Sequence, residues 1–159
     1  MSTKIRFAAS HNPDFYSTLN KRVDEYFSDN NISKNGNWIM VLKTIFYLSV
    51  LTTAYFMLIL GGFGIPLQFL LWVIIGFFTA FVGLNISHDA IHGSLSKHKI
   101  VNKLLGYTFN IIGANAYMWG IMHNIVHHTY TNIEGHDEDI ESVPLLRMSP
   151  HQKLRKKHR

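Results

Sequence analysis

The residues that decide the fold are 44–88, TIFYLSVLTTAYFMLILGGFGIPLQFLLWVIIGFFTAFVGLNISH, a stretch of 45 residues without Lys, Arg, Asp or Glu. A helix rises about 1.5 Å per residue, so about 20 apolar residues cross a bilayer core of about 30 Å. Extended back to Trp38, the stretch is long enough for two such helices, and the segment GGFGIP at 61–66 interrupts it. We predict an all-α integral membrane fold with a transmembrane hairpin over residues 38–86, its helices at about 38–60 and 66–86.

The basic residues are distributed unevenly around this hairpin. Five Lys or Arg residues precede it, none lies in its turn and nine follow it. Because positive residues favour the cytoplasmic side of a membrane, we expect a multi-pass protein with both termini in the cytoplasm. The net charge of +5 suits an anionic membrane surface, and no basic stripe indicates nucleic acid as a partner.

The hairpin divides the 159 residues into three parts. Residues 1–37 are polar but place Phe15, Leu19 and Val23 at helical spacing. This spacing predicts a cytoplasmic amphipathic helix, lying on the membrane or on the rest of the protein. Residues 87–159 are more polar again, and we expect cytoplasmic or interfacial helices there, including a new helix start at Ser149.

A third uncharged stretch, residues 104–122, is just long enough to span a bilayer, so it could be a third transmembrane helix. It contains two asparagines and three glycines seven residues apart, at 106, 113 and 120. These residues dilute its hydrophobicity, and the glycines would share one face suited to close packing. We therefore predict a re-entrant or interfacial helix. Trp119 and Tyr117 either anchor it at the headgroups or line the functional site.

Two groups of histidines carry the chemistry, HDAIH at 88–92 and HNIVHH at 123–128. Residues four apart lie on one face of a helix with Cβ atoms about 6 Å apart, so each pair can reach one metal ion. His128 is expected to point about 100° away from His127, toward a second ion or a second side of the site. The alternative is that the imidazoles bond to backbone or lipid headgroups. The predicted ligands are His88, His92, His123, His127 and His128.

The ligand types limit the metal. The chain has no cysteine, which excludes an iron–sulfur cluster and a thiolate zinc site. A zinc-protease pair needs Glu after its first histidine, and Asp89 and Asn124 occupy those positions. Five histidines exceed the ligands of one tetrahedral zinc, so a two-metal, oxygen-using iron centre fits better. Asp89 is either a carboxylate that orients a ligand imidazole or a solvated charge.

These motifs resemble those of a known family. HDAIHG at 88–93 and HNIVHHTYTN at 123–132 resemble the first two histidine boxes of membrane fatty acid desaturases, in particular bacterial acyl-lipid or linoleoyl-CoA-type enzymes. GHDED at 135–139 is similar to the segment after the second box. The resemblance covers essentially the whole chain and implies a bacterial inner-membrane enzyme. It also implies that Asn124, Asp137 and Asp139 support the ligands, as Asp89 does.

The resemblance implies a cytoplasmic centre with two iron ions per complete enzyme and O₂ as co-substrate. Such an enzyme removes two hydrogens from an acyl chain in a narrow apolar tunnel and leaves a cis double bond. The substrate would be an acyl-lipid, acyl-CoA or acyl-ACP, and the electron donor a ferredoxin or a cytochrome b5-like protein.

The chain departs from the family in one respect, since nothing after His128 matches the third histidine box of these enzymes. We therefore expect this chain to be the N-terminal portion of a desaturase, truncated before the third span, and inactive by itself. Two other functions stay open, a di-iron lipid hydroxylase with the same boxes and a non-catalytic metal-binding membrane hairpin.

Overall fold

The computed structural model describes residues 5, 7, 13–141, 146–147, 150 and 153–156. Within these residues the regular structure is helical and contains no strand, as the all-α prediction requires. The chain divides into two compact units, residues up to Lys34 and residues from Asn35 onward. The Ser149 helix start lies outside the described residues, and residues 153–155 after it have no regular structure.

The first unit contains helix α1, Phe15–Asp29. Phe15, Leu19 and Val23 are exposed along it, at 63%, 44% and 42% of their surface. Lys21 forms an ion pair with Glu25 at 3.7 Å, one helical turn away. The helix therefore has both an apolar row and a charged surface, as its amphipathic spacing predicts.

The second unit begins with helix α2, Trp38–Leu60. The Asn37 side chain caps it by accepting hydrogen bonds from the backbone N–H groups of Ile39 and Met40, at 3.0 and 3.2 Å. An asparagine cap stabilises a helix start because it satisfies donors that have no partner inside the helix. Lys43, the one charged residue of α2, donates to the Asn85 side chain at 3.1 Å.

Helix α3, Ile65–Phe81, follows with Pro66 in its first turn. It continues without a break into a π-helical segment, π1, Val82–Ser87, and then into α4, His88–Ile91. Together Ile65–Ile91 form 27 helical residues, which extends the helix five residues past the predicted end at 86. The extension carries the first histidine motif on the same continuous helix.

Helix α2 and the continuous helix Ile65–Ile91 are each long and apolar enough to cross a membrane. They pack against each other through aromatic rings, with Tyr47 stacked on Phe81 at 5.2 Å between centroids. Phe46 and Phe78 meet edge to face at 5.8 Å. Most other large side chains of these helices are exposed in the structure, as expected of helices whose surroundings are acyl chains.

The remaining described helices are short. They are α5 (Lys99–Gly106), α6 (Thr108–Ile111), α7 (Ala116–Ile121), a second π-helical segment π2 (Met122–His127), α8 (His128–Tyr130) and α9 (Glu138–Glu141). The third uncharged stretch is thus divided among several helices. None of the described helices after Ile91 is long and apolar enough to cross a membrane. Of its three glycines, Gly106 packs against Ile91, whereas Gly113 and Gly120 face open space.

A small core surrounds π1. Val82 and Ile86 are 0% and 1% exposed, and Ala90 and Leu95 complete the buried group. The buried Ser87 and Thr108 hydroxyls bond to each other at 2.6 Å. This pair joins the residue before His88 to α6, so the first histidine motif is fixed from behind by both packing and a hydrogen bond.

The turn after His92 is held by Asn102, which is 7% exposed. Its Nδ2 donates to the carbonyls of Gly93 and Ser96 at 3.0 and 2.7 Å, and its Oδ1 accepts from the Ser96 backbone at 2.8 Å. Gly93 has φ +73°, a conformation that favours glycine. The backbone is thereby turned away from the long helix immediately after the second histidine.

We expect Asn102→Ala to lower the free energy of unfolding by about 1–3 kcal/mol, because it removes the three hydrogen bonds that a buried side chain makes to the turn. Chemical denaturation in detergent micelles, followed by circular dichroism, measures this loss. Lys97→Ala in the same loop is the matched control and should change little, because its side chain is exposed. Equal effects of the two substitutions would contradict a structural role for the Asn102 amide.

Candidate metal centre

The first histidine pair lies at the end of the long helix. His88 begins α4 and His92 caps it. Their Nε2 atoms are 3.2 Å apart, and their ring centroids are 4.5 Å apart. The four-residue spacing therefore places the two imidazoles together, as the sequence predicts.

The second group lies on π2 and α8, and the π-helical turn decides which of its rings come together. In an α-helix His128 would point about 140° away from His123, because each residue turns by about 100°. A π-helical turn is wider, with i→i+5 hydrogen bonds, so residues five apart approach one face. The His123 and His128 centroids are consequently 5.0 Å apart, and His128 is also 5.0 Å from His92.

The two groups meet in space. His123 Nε2 lies 3.1 Å from His88 Nε2. His88, His92 and His123 form one set that could hold a metal ion, with ligand atoms within 4.8 Å of each other, and His123, His127 and Asp139 form a second such set. His123 belongs to both sets, so it is the residue that connects the two histidine motifs.

Carboxylates lie behind these rings. Asp89 Oδ1 is 3.1 Å from His88 Nδ1, and Asp139 Oδ2 is 3.3 Å from Nδ1 of both His123 and His127. Asp137 is fully buried and lies 2.9 Å from His127 Nδ1. It also accepts hydrogen bonds from the backbone N–H groups of Asn132 at 2.6 Å and Asp139 at 3.1 Å.

Asn124 occupies a different position from the three aspartates. Its Nδ2 donates to the Ile91 carbonyl at 3.4 Å, and its buried Oδ1 has no partner. The amide therefore bonds to the backbone that carries the first pair and not to an imidazole. In this structure Asn124 joins π2 to α4.

The surroundings favour neutral imidazoles. Burial lowers the pKa of His92, and the neighbouring His88 lowers it further. Burial and His88 likewise lower the pKa of His123, against a smaller opposite effect of Asp139. Burial alone would raise the pKa of Asp137, but hydrogen bonds from His127 and two backbone groups lower it, so this carboxyl stays ionised. Neutral imidazole is the form that binds metals.

The hydrogen bonds to the carboxylates determine which ring nitrogens are available to bind a metal. A carboxylate accepts hydrogen bonds, so these contacts favour the neutral tautomer with its proton on Nδ1 in His88 and His123, which leaves the Nε2 lone pairs for a metal. These lone pairs face each other at 3.1 Å, an arrangement that a cation between them stabilises. Two nitrogens, each about 2.1 Å from one ion, are about 3.0–3.4 Å apart when the ligand–metal–ligand angle is 90–109°. The spacing of the Nε2 atoms fits a bound metal.

Trp119 forms one wall of the site, which decides between the two roles that its sequence position left open. Its indole stacks on the His123 ring at 5.3 Å between centroids and on Phe109 at 4.7 Å. Tyr117, by contrast, is 75% exposed. Ser87, Thr108 and Asn102, which fix the first pair from behind, had no signal in the sequence beyond being polar residues near the motifs.

Comparisons with known proteins agree with this geometry. Residues 65–159 match the family model described as fatty acid desaturase. The sn-1 linoleoyl-lipid 6-desaturase of Arthrospira platensis is 40% identical over 158 residues, which cover 99% of this chain and 42% of that relative. The enzyme of the same description from Synechocystis sp. is 34% identical over 152 residues, which cover 96% of this chain and 42% of that relative.

A more distant relative is the acyl-lipid (8-3)-desaturase of Physcomitrium patens, 34% identical over 138 residues, 86% of this chain and 28% of that protein. No solved structure matches the chain. The chain spans about two fifths of the length of the two 6-desaturases. The match to the family covers more than half of the chain and includes both histidine motifs, so the chain belongs to the fatty acid desaturase family.

Proposed function

We propose that this chain supplies five histidine ligands to the iron centre of a membrane desaturase that introduces a cis double bond into a lipid-bound acyl chain. The observation that carries the proposal is the convergence of the His88, His92 and His123 Nε2 atoms at 3.1–3.2 Å. The family and the absence of cysteine favour iron with O₂ as co-substrate.

The two ligand sets suggest how the centre is divided. Nε2 atoms of His88, His92 and His123 would hold one ion. His127 and His128 face it from the neighbouring side, with His128 5.0 Å from His92 between ring centroids. Asp89, Asp137 and Asp139 would orient the rings through Nδ1, as carboxylates beside metal-bound histidines do. When bound, iron with O₂ supplies the oxidation of an unactivated C–H bond.

The residues around the ions have a separate task, which is to hold the rings and exclude water. Trp119 covers one face of His123, and the buried Asp137 holds His127. Buried, hydrogen-bonded groups of this kind change position little when the metal changes its charge. An apolar wall also keeps water from a reactive centre.

A cavity between the two long helices is a candidate for the acyl chain. It has a volume of about 630 Å³ and is lined by α2, α3 and α6. Its walls include Tyr55, Trp72, Thr79 and Val82. Because Val82 begins π1, the cavity leads along the helix that carries His88. The names of the relatives, which are lipid desaturases, favour an acyl-lipid over a soluble acyl carrier.

The same proposal places α2 and the helix Ile65–Ile91 across the membrane as a hairpin, with both histidine motifs on the cytoplasmic side. The distribution of basic residues supports this orientation, because nine lie after the hairpin and none lies in its turn. The membrane would be a bacterial inner membrane, and the electron donor a ferredoxin or a cytochrome b5-like protein.

We expect His123→Ala to abolish iron binding, because His123 belongs to both ligand sets. Iron per chain, measured by plasma emission spectrometry after purification in mild detergent, tests this expectation. His98→Ala is the matched control and should keep the wild-type iron content, since His98 is exposed and lies outside both sets. Circular dichroism verifies that both variants keep their helices. Unchanged iron in His123→Ala would contradict the ligand assignment.

We expect Thr79→Trp, made in a complete desaturase that contains this chain, to fill part of the cavity and reduce the unsaturated product at least tenfold, with the iron content unchanged. Val73→Trp on the same helix is the control and should keep activity, because Val73 does not line the cavity. Gas chromatography of lipids from cells that express the desaturase measures the product and distinguishes a double bond from a hydroxyl group. Equal activity of Thr79→Trp and the wild type would contradict the cavity as the acyl site.

A further inference from the structure

Helices α5 and α6 present an exposed apolar row that no other described part of the chain covers. Ile100, Leu104, Tyr107 and Ile111 are 63%, 62%, 50% and 79% exposed. Ile100 and Leu104 are four residues apart and share one face of α5, whereas Tyr107 lies at the turn after α5 and Ile111 ends α6. Four large apolar side chains in a continuous row are more than the scattered surface residues of a soluble helix.

The opposite face of the same helices is already packed against the core. Asn102, Thr108 and Phe109 are 7%, 6% and 4% exposed, and Gly106 lies against Ile91. Within α5, at about 100° per residue, Asn102 and Gly106 lie about 160° from Ile100 and Leu104. The row is therefore a second apolar surface and not the edge of the core.

A third face is basic. Within α5, Lys99 and Lys103 lie about 100° from Ile100 and Leu104, and Asn110 is exposed on α6. Both lysines line a shallow groove of about 400 Å³, together with Tyr107 and Tyr117. Among the residues that the structure describes, no carboxylate forms an ion pair with either lysine. Two cationic groups and two aromatic rings at one groove favour an anionic phosphate group.

We propose that α5 and α6 lie in the plane of an anionic bilayer surface. The apolar row would enter the boundary between headgroups and acyl chains, and Lys99 and Lys103 would bind phospholipid headgroups at the groove. A helix with an apolar face and flanking lysines lies on a membrane in this way. Each lysine near an anionic surface contributes about a fivefold preference for anionic lipid.

The position of α5 in the chain supports a lipid occupant. The long apolar helix ends at Ile91, and α5 begins at Lys99, only eight residues later. Gly106 and the Ser87–Thr108 hydrogen bond hold α5 and α6 against that helix. If the long helix crosses the membrane, α5 and α6 must stay close to its surface. The inference rests on that membrane crossing and not on the bound metal.

Ile111 connects the surface to the proposed active site, because it belongs to the apolar row and also lines the cavity between α2 and α3. Docking of α5 and α6 on the bilayer would therefore place the cavity beside the acyl layer. It would also hold π1 and the first histidine pair at a constant depth.

The chain has no cysteine, so single spin labels can test the depth of each face in phosphatidylglycerol-containing vesicles. We expect labels at Leu104→Cys and Ile111→Cys to collide with oxygen, which concentrates in lipid, and to be shielded from a water-soluble nickel chelate. Lys103→Cys and Asn110→Cys are matched controls on the same helices and should collide more with the chelate. Chelate access at 104 and 111 would contradict the inference. Exclusion of both reagents would also contradict it, because protein would then cover the row.

A second measurement tests the headgroup contact. Spin-labelled phosphatidylglycerol and phosphatidylcholine report which lipid is held beside the protein. We expect a preference for phosphatidylglycerol that falls by about fivefold per lysine removed in Lys99→Gln and Lys103→Gln. Lys153→Gln with Lys156→Gln is the control and should keep the preference. An unchanged preference in the Lys99/Lys103 variant would overturn the assignment, and iron content, measured alongside, shows separately whether the metal centre is intact.

Discussion

The proposed centre depends on imidazole nitrogens from two distant segments meeting at about 3 Å. His88 and His123 are 35 residues apart in the sequence, and their Nε2 atoms lie 3.1 Å apart. Lone pairs at this distance repel each other when the opposite nitrogens donate to carboxylates, so the arrangement favours a cation. Several contacts hold these rings in place. The core around π1 and the packing of α5 and α6 fix the first histidine pair, and Asp137 fixes His127.

Two π-helical segments stand next to the histidines, and both have a geometric role. π1 ends at Ser87, directly before His88, and π2 contains His123 and His127. A wider turn changes the direction of every side chain that follows it, which is how His128 reaches the side of the cluster that His92 occupies. The backbone hydrogen bonds of a π-helical turn are less favourable than those of an α-helix. Around π1 the buried Ser87–Thr108 pair and the Val82–Ile86 core offset that cost.

Much of this fold follows from the sequence. The absence of charge over residues 44–88 predicts the two long helices, and spacing by four predicts each histidine pair. The π turns do not follow from the sequence, because the difference between i→i+4 and i→i+5 bonding depends on tertiary packing and not on local propensity. The prediction for the glycines at 106, 113 and 120 also depended on tertiary structure that the sequence does not specify. Their common face requires one straight helix, and the chain turns at Tyr107 and again after Ile111, so only Gly106 packs closely.

Sequence spacing predicts the position of one carboxylate beside the histidine rings but not the positions of the other two. Asp89 lies beside a histidine in the sequence and beside the same ring in the structure. Asp137 and Asp139 reach the rings only because residues 131–137 form a turn, with Asp137 bonded to the backbone of Asn132. The sequence resemblance indicated these two residues, but not that Asp137 is fully buried. Trp119 became part of the site through stacking on His123, a contact that hydrophobic spacing alone could not assign.

Cross-linking of the two histidine segments tests the central claim most directly. The double variant His92→Cys with His128→Cys in this cysteine-free chain should be joined by a short bis-methanethiosulfonate reagent, because the two rings are 5.0 Å apart. Trypsin cuts between the two positions at Lys97, Lys99 and Lys103, so linked fragments stay together on a non-reducing gel. Phe63→Cys with His128→Cys is the control, since residue 63 precedes the start of the long helix and lies about 35 Å from His88 along it. Efficient linkage of the first pair alone is the predicted result, and equal failure of both pairs would contradict a shared metal centre.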